Sequence, residues 1–134
     1  MKNSIIVALA EGPFMQASAN TLGVEHAYKV IKMKSTIRKA AQIIIDQREA
    51  IVKEYLTDEE RQKLGTPDGE QLKEKVEKAS KCIANLLGEE TDLDRDAPLP
   101  FAEWHKFCAE NSLKLGALEL ELEGTLWEAP EGSE

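Results

Sequence analysis

The sequence predicts a mainly α protein, a long antiparallel helical hairpin of coiled-coil-like character with a small C-terminal α/β element. Three observations predict it. Residues 24–56 contain no Gly or Pro over 33 positions and carry an apolar seven-residue repeat. Residues 70–87 carry a second helical stripe. The turn-forming stretch Gly65-Thr66-Pro67-Asp68-Gly69 separates the two. Stripes of this spacing place apolar side chains on one helix face, and a short connection between two helices favours antiparallel packing.

The N-terminal segment comes first. Ile5 to Ala10 and Phe14 to Leu22 read as short helical pieces split by Gly12-Pro13. The long helix follows, from Val24 to Leu56. At 1.5 Å per residue it makes a rod of about 50 Å. Ala27, Val30, Ile37, Ala41, Ile44, Ile51 and Tyr55 alternate three and four apart, with Lys34 and Arg48 in the two missing slots. That is a heptad pattern. Met33, Ala40, Ile45 and Val52 widen the stripe, and Lys32, Lys39, Asp46 and Lys53 occupy the opposite face.

Thr57-Asp58-Glu59-Glu60 has the residues of a capping box, in which hydroxyl and carboxylate each serve an amide left unpaired at a helix start. A short helical turn to Leu64 is expected next. The second helix should run from Glu70 to Leu87 and stop at Gly88 as its cap. Its stripe is Leu72, Val76, Ala79, Ile83 and Leu86.

The C-terminal third carries mixed signals. Thr91 to Asp94 reads as extended. Pro100 suits a helix start, and Phe101, Trp104, His105 and Cys108 would share one face of a short helix. Leu118, Leu120 and Leu122 alternate with Glu119, Glu121 and Glu123, the period of a half-buried strand. Leu113 and Leu115 run in the opposite phase, which places a bulge near Gly116. Residues 1–129 are expected to form one domain and residues 130–134 a disordered tail.

Composition excludes several classes. Two cysteines, Cys82 and Cys108, are too few for a disulfide framework and read as reduced thiols in apolar stripes. The longest apolar run, Ile5 to Ala10, is too short for a membrane span, which needs about 20 residues. The chain carries a formal charge of −8. Residues 24–53 hold seven Lys/Arg against three Asp/Glu, and residues 88–134 hold three against thirteen. The simplest reading is that the acidic end lies beside the basic helix.

No catalytic constellation emerges. His105 and Cys108 are three apart, but a structural zinc needs four ligands, and His26 and Cys82 lack ligand spacing. No nucleophile motif and no phosphate-binding glycine loop is present. No metal, no cofactor and no enzyme activity are therefore expected. A nucleic-acid-associated regulator is the rival reading, because Lys29, Lys32, Lys34, Arg38 and Lys39 form a basic stretch. The overall acidity opposes phosphate affinity.

The two helices differ in length. Folding residues 70–87 back covers the first helix from Leu56 to Ile37, leaving Ala27, Val30, Ile31 and Met33 uncovered. Wet apolar surface costs about 25 cal/mol per Å². The cover must come from Ile5 to Leu22, from the C-terminal third or from a second chain. Ala27, Val30, Ile31 and Met33 are accordingly the expected interaction residues. Arg48 joins them, since its heptad slot puts the guanidinium at the seam, where Glu74 or Glu77 could pair with it.

Certain segments resemble a known family. Leu22-Gly23-Val24-Glu25-His26-Ala27-Tyr28-Lys29, then Arg48-Glu49-Ala50-Ile51-Val52-Lys53-Glu54-Tyr55, then Leu86-Leu87-Gly88-Glu89-Glu90-Thr91-Asp92-Leu93-Asp94 are similar to the small proteins of tailed phages and prophages encoded among virion and tail genes. The resemblance covers residues 22–99. It implies a phage or prophage origin and no catalytic residues. An assembly or interaction role is expected, with protein partners among phage structural proteins or a second copy, in the bacterial cytoplasm or on the virion.

Overall fold

The computed structural model describes residues 1–93, 98–124 and 127–128. The first apolar run forms helix α1 (Asn3–Glu11), which Gly12-Pro13 ends, and Pro13–Gln16 make one 3₁₀ turn. Residues 17–23 are not helical, so the helical piece expected through Leu22 is confined to this turn. Helix α2 (Val24–Tyr55) is continuous over 32 residues, about 48 Å of rod.

Leu56 leaves α2 in an extended conformation, and α3 (Asp58–Gln62) begins on the expected capping box. The Glu60 amide donates to Thr57 Oγ1 at 3.2 Å, and the Thr57 amide donates to Glu60 Oε1 at 3.1 Å. A 3₁₀ turn, Pro67–Leu72, leads into α4 (Lys73–Gly88). Gly69 has a steric reason to be glycine: a Cβ there would collide with the Lys63 carbonyl. Gly88 lies inside α4 rather than capping it, and Glu89 is the terminal cap residue.

The C-terminal third pairs β1 (Leu99–Pro100) in parallel with β2 (Trp127–Glu128), in the register Leu99 to Trp127 and Pro100 to Glu128. Between them lie α5 (Phe101–Glu110) and α6 (Ala117–Leu122). The architecture is thus mainly helical, with one long helix and a small two-stranded sheet. Residues 94–97 of the acidic stretch and the expected disordered tail lie outside the described residues.

Helix α6 corrects the expected strand over residues 118–122. Leu and Glu both favour helix, and Leu118 and Leu122 stand four apart on one helical face. Leu122 is fully buried while Leu120 points out at 69% exposure, the helical outcome for an alternating pattern this short. The bulge expected at Gly116 is instead the start of α6. Its φ of +58° is one that L side chains rarely adopt.

One core holds the fold. Ile6 and Leu9 of α1 and Phe14 meet Val30, Met33, Ile37, Ala41 and Ile44 of α2, all buried. The same core includes Leu99, Trp104, Phe107, Leu122 and Trp127. Trp104 stacks on Trp127 at 6.2 Å and 7°, and Phe14 presents an edge to Phe107 at 6.4 Å. Glu119 serves both indoles: Trp104 Nε1 donates to its carboxylate at 2.9 Å and Trp127 Nε1 to its carbonyl at 3.0 Å. The buried face of α5 is therefore Trp104 and Phe107; Phe101 and His105, expected on that face, are exposed and stack on each other at 6.0 Å.

Candidate interaction surface

The amino-terminal half of α2 has two different sides. Val30 and Met33 point inward and are buried, with Ala27 half-buried beside them. The N-terminal segment and the C-terminal aromatic residues share that core. Of the covers expected for Ala27, Val30, Ile31 and Met33, the N-terminal segment and the C-terminal third share a core with Val30 and Met33, while Ile31 stays exposed. The chain covers Val30 and Met33 itself, because α1 lies along α2 where α4 does not reach.

Ile31 is different. It is 60% exposed, and Val24 and Tyr28 are 89% and 63% exposed. These three sit at i, i+4 and i+7, so they form a single stripe on the outer face of α2. Heptad bookkeeping missed Val24 and Tyr28. The signal that could have found them is their own helical spacing, which runs one position out of phase with the core stripe.

Residues 17–22 run past the base of this stripe. Together they enclose a groove of about 540 Å³, lined by Ala17, Leu22, Val24, Tyr28, Ile31 and Lys34 among others. The segment is held by Asn111, whose Oδ1 accepts from the Ser18 amide at 2.7 Å and whose Nδ2 donates to the Ser18 carbonyl at 2.8 Å. Lys34, half-buried, donates its Nζ to the Ala17 carbonyl. Loss of water around the Lys34 ammonium, and then the nearby Arg38 charge, hold its pKa below the ordinary lysine value.

The remaining candidates fall elsewhere. Arg48 is half-buried, and the pair with Glu74 or Glu77 does not form; Glu74 instead pairs with Lys78 at 3.3 Å, one turn along α4. Helix α4 meets α2 through apolar contact and a Tyr55 hydroxyl to Cys82 thiol hydrogen bond at 3.4 Å. Cys82 and Cys108 are both free thiols. Burial, and then the Glu119 charge, push the Cys108 thiol up to about 11. Among the described residues no group of three His, Cys, Asp or Glu could hold a metal ion. Nor, among them, is any helix long and apolar enough to cross a membrane.

A second cleft, of about 490 Å³, lies between α2 and the segment after α4, with Ile43, Ile44 and Leu93 facing Lys39, Glu90 and Asp92. Asn3 lines it, the one polar side chain in the described core, at 3% exposure. Its Nδ2 donates to the Leu86 carbonyl at 2.8 Å, and Thr91 Oγ1 donates to its Oδ1 at 2.6 Å. Its amide donates to the Glu89 carbonyl at 2.8 Å. Compared with protein-family models, curated proteins and solved structures, the chain matches none of them.

Proposed function

We propose that this chain is a protein–protein interaction or assembly factor without catalytic activity, an accessory of a phage-like particle that works beside its structural or tail proteins. It would act in the cytoplasm of a bacterial host or on the virion. The observation that carries the reading is the outward stripe Val24, Tyr28 and Ile31. Three large apolar side chains on one helix face above a groove are the kind of exposed patch that marks a contact surface. The segments similar to tailed-phage proteins support the phage assignment; the first of them spans this stripe up to Lys29.

Within this reading α2 and α4 form an antiparallel hairpin that stiffens the rod. Tyr55 meets Cys82, while Gln47 and Ile51 share a groove with Asn85 and Glu89. Numbers fall along α2 as they rise along α4, which supports the antiparallel sense.

The test is a photo-crosslinking side chain placed at Ile31, with the exposed Lys63 as control, in the organism of origin. A discrete adduct from position 31 alone is expected, with either a second copy or another protein. No adduct from position 31 would leave the stripe facing solvent and overturn the reading. The nucleic-acid reading is favoured by five cations between Lys29 and Lys39, but Lys34 is turned onto Ala17. A mobility-shift titration at low salt separates the two readings; no retardation of DNA is expected.

A further inference from the structure

The groove beneath the stripe combines apolar walls with an under-compensated cation. Lys34 has three donor hydrogens. It has one described acceptor, the neutral Ala17 carbonyl, and among the described residues no carboxylate lies within ion-pair distance of it. A charge held half out of water is stabilised far better by a carboxylate than by a carbonyl dipole. One turn of helix onward, the exposed Arg38 borders the same face. The stripe is therefore apolar at the start of α2 and basic where it continues.

We propose that this groove takes an acidic amphipathic segment of a partner protein, its apolar side chains laid on Val24, Tyr28 and Ile31 and an Asp or Glu carboxylate seated at Lys34. The proposal rests on the interaction reading above and names the partner's chemistry. A further acidic residue of that segment would lie along Arg38, giving complementary charge across the contact. A second copy fits less well. Between Val24 and Ile45, α2 has five cations and a single carboxylate, Glu25. A two-fold pairing of this face would add another Lys34 and Arg38 with almost no anion to meet them, and juxtaposed like charges disfavour a partner.

The experiment uses the full chain and a fluorescent 18-residue helical peptide of Leu, Glu and Ala, with Leu at i, i+4 and i+7. Its counterpart carries Lys for every Glu. Fluorescence anisotropy should show binding of the acidic peptide alone, weakening as salt rises. Lys34→Met keeps the aliphatic stem and should weaken binding at least about tenfold, as expected when one member of a desolvated charge pair is lost. Lys34→Arg should retain most of it. Arg38→Glu, at an exposed position that folding does not need, should weaken it too, and Ile31→Asp should abolish it. Equal binding of both peptides, binding of neither, or binding untouched by Lys34→Met and Ile31→Asp would overturn the proposal. A solution mass that falls on Ile31→Asp would also overturn it, by making a second copy the occupant. An adduct from position 31 with no acidic-peptide binding would sink this proposal while leaving the interaction reading intact.

Discussion

Asn3 places an amide at the one point where α1, the end of α4 and the segment after it converge. Its side chain gives the Leu86 carbonyl, which also accepts from the Glu89 amide at the end of α4, a second donor, and it accepts from Thr91. Replacing it by Ala removes both side-chain bonds and takes the acceptor from the part-buried Thr91 hydroxyl, and a loss of about 1–3 kcal/mol is expected in urea unfolding. An unchanged midpoint would show that water substitutes for the amide. Asn3 was legible in the sequence only as a residue in phase with Ile6, Val7 and Ala10; what it bonds to lies 83 and 88 positions away and has no local signature. Cys108 supplies a second residue-scale test. With its thiol pushed up to about 11, it stays protonated at pH 8 and should react with iodoacetamide far more slowly in the folded protein than after unfolding in urea. Equal rates in both states would contradict its burial.

At the scale of elements, local signals succeeded where the determinants are local. The span of α2 was readable because 33 residues without Gly or Pro leave a helix little to stop it, and the Thr57 capping box appears as expected. The last third was read less well. In α6 the Leu-Glu alternation fits a strand, but six residues are too few for period alone to decide, and the buried slot that Leu122 fills is built by distant aromatics. The junction of α3 with α4 is electrostatic. Lys75 Nζ lies 2.6 Å from Glu60 Oε2, and that contact, then the Thr57 amide, hold the Glu60 carboxyl below its usual range. A carboxylate with a lowered folded pKa stabilises above its unfolded pKa, and that contribution is lost as pH falls through the folded value. Amide-exchange protection relative to the intrinsic rate in residues 57–62 is therefore expected to fall below about pH 4, where unperturbed Glu titrates, and the Glu60→Gln variant should lose that pH dependence. The same pH response in the variant would assign it to another group.

The whole molecule is a rod sheathed by different material along its length. Its amino-terminal half is covered by α1, the Phe14 turn and the aromatic residues of the C-terminal third; α4 meets α2 further along, around Tyr55. This division was only half legible. The sequence showed that Val30 and Met33 needed a cover, but not that the same chain supplies it, because that depends on contacts far apart in sequence. Trp104 is the keystone of the cover, fully buried and in ring contact with Phe14, Phe107 and Trp127. Trp104→Ala should cost about 3–5 kcal/mol and expose the inner face of α2, read as a lower melting temperature with new dye-binding apolar surface. A small change confined to residues 99–128 would mean that this third does not help close the core. The most direct test of the continuous rod is an electron–electron distance between spin labels at Glu25 and Glu54, both exposed near the ends of α2. At 1.5 Å per residue, a single narrow population near about 43 Å is expected. A broad distribution, or one centred well below that span, would show that α2 is broken into pieces and contradict the account.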